Sequence, residues 1–149
     1  MPLEIERKFL VTNDNWRAAV SDSFELRQGY LNLEPARTVR VRIKREKGKL
    51  TIKGKSVGIV RPEFEYDIPK DDALAMLTLC EGKIIHKTRH LVHYGELVWE
   101  VDVFHGDHSG LVLAEVELES SAQTVNLPDW VGEEVSTNHR FFNSFLAAN

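Results

Sequence analysis

Apolar and charged residues alternate with a period of two along much of the chain, and within most segments the charged positions keep a single sign. Near the N-terminus Leu3, Ile5 and Phe9 oppose Glu4, Glu6 and Lys8. Val39-Arg40-Val41-Arg42-Ile43-Lys44 and Thr51-Ile52-Lys53-Gly54-Lys55 are basic, while Glu63-Phe64-Glu65-Tyr66-Asp67-Ile68 and Ala114-Glu115-Val116-Glu117-Leu118-Glu119 are acidic. Lys87-Thr88-Arg89 and Trp99-Glu100-Val101-Asp102-Val103 follow the same rule. Successive side chains of a strand point to opposite faces, so each segment predicts a strand with one apolar and one charged face. Turn signals at Gly29, Glu34-Pro35, Lys47-Gly48-Lys49, Gly58, Gly95 and Gly106-Asp107 with Gly110 divide the pattern into roughly eight strands joined mostly as hairpins.

The period changes in two places. Residues 13–22 carry Trp16, Ala19 and Val20 after Asn and Asp, the composition of a short capped helix. Residues 70–81 follow Pro69, open on Asp71 and Asp72, and place Leu74, Met76 and Leu77 at helical spacing before Gly82. A helical tail is expected over residues 141–148.

Taken singly, each alternating segment could be a strand with its charged face in water. Sorting of the signs by strand argues for closure, because solvated faces normally interleave both signs with Ser, Thr and Gln. In a barrel with the charged faces turned inward, crowded like charges repel strongly. Such a lumen requires cations for its carboxylates and an anion for its Arg and Lys groups. The apolar outer faces would then be covered by the helices.

A chain of 149 residues, 42% hydrophobic and 28% charged, suits one domain spanning residues 1–149. Its net charge of −4 conceals the segregation and gives no reason to expect a nucleic-acid partner. Cys80 is the only cysteine, so neither an intramolecular disulfide nor a cysteine zinc cluster can form, and a reducing cytoplasm is the expected setting. No run of about 18 apolar residues exists and the chain enters directly on a charged strand, so a soluble, unprocessed protein with no membrane partner is expected.

Glu4-x-Glu6-x-Lys8, Gln28-Gly29-Tyr30-Leu31, Val39-Arg40-Val41-Arg42, Thr51-Ile52-Lys53, Glu63-x-Glu65, Lys87-x-Arg89, Glu100-x-Asp102 and Glu115-x-Glu117-x-Glu119 resemble, in that order, the motifs of the CYTH superfamily, the triphosphate tunnel metalloenzymes. The likeness runs from residue 3 to about residue 146. It implies an α+β fold in which an eight-stranded antiparallel β-barrel forms a tunnel with a charged lumen and a few helices packed outside. It also implies a hydrolase that binds Mg²⁺ or Mn²⁺ and acts on a triphosphate-containing small molecule.

On this resemblance Glu4, Glu6, Glu115 and Glu117 are the metal ligands, with Glu119 as a further candidate on the third strand. An oxygen-rich site of this kind suits either cation. Lys8, Arg40, Arg42, Lys53, Lys87, Arg89 and Arg140 are the substrate ligands, Arg gripping phosphate oxygens bidentately and Lys acting as a point charge. Lys44 and Lys55 are candidates at the tunnel mouths. Glu63, Glu65, Glu100 and Asp102 form the catalytic group, with three roles open to them: positioning the attacking water, holding a second metal, or pairing with the cations. The segment Ser136-Thr137-Asn138-His139-Arg140-Phe141-Phe142-Asn143 departs from the family pattern at Thr137 and Asn138 and keeps it at Arg140 and Asn143.

Other signals have simpler readings. Lys53-Gly54-Lys55-Ser56 ends like a P-loop but lacks both its glycine spacing and its strand-loop-helix context. His86 and His90 fall on the strand face opposite Lys87 and Arg89, which disfavours a zinc site with His93. Cys80 reads as a small core residue, and Trp16, Trp99 and Trp130 as packing groups. With no evident adenine pocket and no aromatic pair on the lumen face, inorganic tripolyphosphate is preferred over nucleoside triphosphates. A class IV-type adenylyl cyclase is the enzymatic alternative. A non-catalytic polyphosphate or RNA binder using residues 37–55 as an external basic face is the other, although carboxylates beside the cations would not serve it. A homodimer is left open.

Overall fold

The computed structural model describes residues 2–149. Eight strands form the ring: β1 (Leu3–Val11), β2 (Val20–Asn32), β3 (Arg37–Lys44), β4 (Lys47–Gly54), β5 (Val60–Ile68), β6 (Glu81–Tyr94), β7 (Leu97–Phe104) and β8 (Val112–Glu117). Their order is β5-β4-β3-β2-β6-β7-β8-β1, every pair antiparallel, and Leu3, Glu4 and Ile5 pair with Pro62, Arg61 and Val60 to close the barrel. A ninth strand, β9 (Val131–Glu134), runs beside the later part of β1, with Phe9 opposite Glu134 and Val11 opposite Val131. Nothing in its four residues alternates long enough to announce it from sequence.

Register brings the charged positions onto shared faces. Glu6 lies opposite Glu117, Lys8 opposite Glu115, Glu100 opposite Glu115, Arg89 opposite Asp102 and Lys53 opposite Glu63. Directly opposed residues share a face, so the sorted charges of the sequence become adjoining staves of a single inner wall.

The apolar alternate faces pack outward against covering segments. Phe9, Val92, Trp99, Val101, Ala114 and Val116 form a cluster with Trp16 and Trp130, which makes all three tryptophans packing groups as expected. Trp16 comes from a 3-10 helix, Asn15–Ala19, and its ring lies against His90 on the outer face. The helix expected over 13–22 is therefore shorter, because Val20 already pairs with Val92 at the start of β2.

Helix α1 (Lys70–Leu77) buries Ala73 and Leu77, one turn apart, against Val41 and Ile43. It ends before residue 81, where β6 begins, and Leu74 is exposed rather than buried. Asp71 and Asp72 in its first turn favour the positive end of the helix dipole. Two glycines read as turn signals lie inside strands instead. A Cβ on Gly48 would stand 2.8 Å from Ala73 Cβ, and one on Gly29 would stand 2.8 Å from Cys80 Sγ. Both glycines let a covering element approach the sheet, and the β3–β4 turn falls at Arg45-Glu46. Helix α2 (Asn143–Ala148) seats Leu146 and Ala147 on Tyr30, Ile85, Phe104 and Leu113.

Candidate active site

The inner wall surrounds a cavity of about 750 Å³, open mouth included, lined among others by Glu4, Glu6, Lys8, Arg40, Arg42 and Lys53. β1 places Glu4, Glu6 and Lys8 at alternate positions on one face. Carboxylate oxygens of Glu4, Glu6 and Glu117 come within 4.8 Å of one another, a grouping able to hold a metal ion. Burial pushes Glu6 well above the ordinary carboxylate range, and the nearby Glu115 and Glu4 charges add to the rise. Burial also raises Glu117, helped by Glu100 and Glu4. Against its own burial, Glu4 is held below the ordinary range by Lys53 at 2.9 Å. Glu6 and Glu117 have no cation within ion-pair distance among the described residues, and a hard divalent cation with oxygen ligands would supply that counter-charge. The donor set therefore fits Mg²⁺ or Mn²⁺.

Glu115, the fourth carboxylate expected at the metal, is differently engaged. It lies 3.5 Å from Lys8 Nζ and 3.7 Å from Arg89 Nη2. Against the effect of its own burial, Lys8, Arg89 and Lys87 hold it well below the usual carboxylate range. Glu119 lies beyond the end of β8 and is exposed.

Six of the seven expected substrate cations converge on the cavity, from β1, β3, β4 and β6. Lys53 is 2.9 Å from Glu4 and 3.4 Å from Glu63. Arg42 Nε donates to Gln28 Oε1 at 2.8 Å, and burial, with Arg40 and Arg89 nearby, pulls its guanidinium down to about 9. Arg40 Nη2 donates to Thr51 Oγ1, but its buried Nε has no partner among the described residues. Lys87 is fully buried and brought down to about 8, first by burial and then by the Arg89 and Arg42 charges, with Asp102 opposing. Arg42 has no carboxylate within ion-pair distance among the described residues and Arg40 only Glu65 at 3.9 Å, whereas Lys8, Lys53, Lys87 and Arg89 each pair with a carboxylate; the two arginines are the cations left for a polyanion. Arg140 is the exception among the seven: it sits in the 3-10 helix His139–Phe141, is exposed, and does not line the cavity.

The four expected catalytic carboxylates occupy distinct environments. Asp102 has no exposed surface and binds Lys87 Nζ at 2.7 Å and Arg89 Nε and Nη2 at 2.8 and 2.9 Å. It stands behind the cations, and none of the four expected catalytic carboxylates is among the residues lining the cavity. Glu100 accepts from Arg89 Nη1 at 2.9 Å. Glu65 is exposed and accepts from Thr51 Oγ1. Burial and its hydrogen bond to Glu4 push Glu63 up to about 7.

Several residues at the wall carry no charge and have no role assigned by charge patterning, although Gln28 and Asn143 fall within the family motifs. Asn143, the first residue of α2, accepts at Oδ1 from Lys87 Nζ at 2.9 Å and Gln28 Nε2 at 3.0 Å. The Phe141 carbonyl accepts from Lys8 Nζ at 3.0 Å, with the Phe142 ring 5.7 Å away. The C-terminal segment is thereby tied to two substrate cations. Arg61 was overlooked, although Arg61-x-Glu63-x-Glu65 keeps the strand parity that would have revealed it.

A model of the CYTH domain matches residues 2–144. The chain belongs to the CYTH family. An inorganic triphosphatase of Acetivibrio thermocellus is 42% identical to this CYTH protein over 150 residues, covering all of the chain and 96% of the relative. An inorganic triphosphatase of Nitrosomonas europaea is 38% identical over 152 residues, covering 97% and 96%. The crystal structure of the inorganic triphosphatase NE1496 superposes with a TM-score of 0.69 at 33% identity, covering 100% of this chain and 97% of that one. The CYTH barrel reading and the closed eight-stranded architecture agree with these relatives. No helix of the described residues is long and apolar enough to cross a membrane.

Proposed function

We propose that this CYTH protein is an inorganic triphosphatase of the cytoplasm that depends on Mg²⁺ or Mn²⁺. One observation carries the reading: Glu4, Glu6 and six cations of the expected set line one cavity, and the exposed Glu117 brings a third carboxylate within 4.8 Å of Glu4 and Glu6. Glu4, Glu6 and Glu117 would hold the cation, which when bound draws charge from the phosphate oxygens. Arg40, Arg42, Lys53 and Lys8 grip the phosphate chain, and Lys87 and Arg89, aligned by Asp102, neutralise charge that develops on it. Glu63, pushed up to about 7 and hydrogen-bonded to Glu4, and Glu100, bonded to Arg89, adjoin the lining residues and are the carboxyls assigned to orient water. The relatives named above as inorganic triphosphatases support the choice of substrate.

The test is phosphate release from tripolyphosphate, ATP and pyrophosphate, each with Mg²⁺, Mn²⁺ or a chelator. Tripolyphosphate should be the best substrate and the chelator should abolish turnover. Equal release with chelator present, or preference for ATP, would overturn the proposal.

A further inference from the structure

The cavity wall next to the β4–β5 connection holds an arginine outside the expected substrate set. Arg61 lies opposite Glu4 in the β1–β5 pairing and so shares its inward face. Its Nε donates to the Gly54 carbonyl at 2.7 Å, and its Nη2 donates to the Pro35 carbonyl at 3.1 Å and to Thr38 Oγ1 at 3.4 Å. All three acceptors are uncharged, and no carboxylate of the described residues comes within ion-pair distance of it. One edge of the guanidinium is thereby fixed, while Nη1 has no acceptor among the described residues.

Thr38 and Arg40 are neighbours on the same face of β3 and both line the cavity. Arg40 is 7% exposed and its Nε is unpartnered, so a second buried donor beside Arg61 lacks an acceptor. Burial pulls Arg61 down, and among the charges Glu4 counters while Arg40 adds to the fall. Two guanidiniums with donors left over, Arg61 fixed by neutral acceptors and Arg40 by Thr51 with Glu65 no nearer than 3.9 Å, describe half of an anion subsite.

We propose that Arg61, with Arg40 and Thr38, forms a subsite for one terminal phosphoryl group of the substrate and so selects a triphosphate over a pyrophosphate. A pyrophosphate held by Arg42, Lys53 and Lys8 would leave this subsite empty, whereas a third phosphoryl group reaches it. Arg61 acts here by direct contact with substrate, and its bonds to Gly54 and Pro35 set the direction of the fork. The inference rests on the triphosphatase reading for its ligand, but it is tested by binding alone.

Calorimetric affinities for imidotriphosphate, a non-hydrolysable triphosphate, and for pyrophosphate are compared in wild type and Arg61→Gln. Loss of a charge-assisted contact should weaken the triphosphate by about ten- to a hundredfold and leave pyrophosphate within about twofold. Arg61→Lys keeps the charge but not the fork and serves if the Gln variant misfolds; its triphosphate affinity should fall less, again with pyrophosphate unchanged. A loss shared equally by both ligands would make Arg61 a structural tie, and no loss for either would exclude it from the site. Absence of phosphate release by wild type would sink the proposed activity while leaving this binding comparison decisive for Arg61.

Discussion

Asp102→Asn separates the support of the cations from catalysis. Asp102 is fully buried, contacts Lys87 at 2.7 Å and Arg89 at 2.8 Å, and is Arg89's direct cross-strand neighbour. Asparagine preserves the volume, removes the charge, and turns one acceptor into a donor that faces other donors. Breaking a buried ion pair from one side costs about 3–5 kcal/mol. Arg89 keeps Glu100 at 2.9 Å and Glu115 at 3.7 Å, so the lower end applies. About 3 kcal/mol lowers the melting temperature of a domain this size by about 6–12 °C. The substitution also deepens the depression of Lys87, which loses its proton more readily and then needs no counter-ion. The gap between variant and wild type should therefore narrow as the pH is raised from about 7 to about 9. Thermal melts of the apo protein at both pH values provide the assay. A variant melting within about 2 °C of wild type at the lower pH would refute the reasoning. So would a gap that widens with pH.

The remaining predictions concern Lys87, the metal trio and the outer core. Lys87 has a folded value of about 8 against an ordinary 10.5, so above 8 the unfolded chain binds more protons and wild type should gain up to about 3 kcal/mol relative to Lys87→Met as pH rises towards 10.5; melts showing a constant difference would contradict it. Glu6→Gln should leave the melting temperature unchanged or higher, because it relieves crowding with Glu4 and Glu115, while abolishing cation-dependent phosphate release; retained turnover would remove Glu6 from the metal site. Trp16→Ala should cost about 3–5 kcal/mol in denaturant unfolding with KM unchanged, since the ring is fully buried on the outer face; a rise in KM without loss of stability would mean that the outer layer shapes the site.

The barrel was legible in the sequence because most of its strands alternate apolar with charged positions. A one-residue slip would have exchanged charge for hydrocarbon, so the alternation specified register as well as strand identity. The helix ends were less legible. Val20 belongs equally to a helical pattern over 13–22 and to β2, and only the distant partner Val92 decides. Gly48 carries no mark in sequence that distinguishes close packing against Ala73 from a turn. Within the site, residue type identified the wall but not the pairing. Glu115 and Glu117 lie two positions apart on one strand, yet the first is claimed by Lys8 and Arg89 and the second stands with Glu4 and Glu6. Three roles were open to Asp102 in the sequence, and its contacts with Lys87 and Arg89 are those of pairing with the cations. Gln28 and Asn143 bind the lumen cations through neutral atoms, so charge patterning could not point to them.

The central claim is that one enclosed cavity carries unsatisfied charge of both signs and is completed by a triphosphate with its metal. Melting temperature measured with imidotriphosphate and Mg²⁺, against sulfate at matched ionic strength, tests it most directly. A ligand confined to the native state adds about 2.7 kcal/mol at a hundredfold excess over its dissociation constant. For a domain of this size that is a rise of about 5–11 °C. Sulfate should give a small fraction of the rise, and Mg²⁺ should add to the effect of the triphosphate. Equal stabilisation by sulfate, or a triphosphate effect indifferent to Mg²⁺, would mean that the charges form a basic surface and an acidic surface rather than one site.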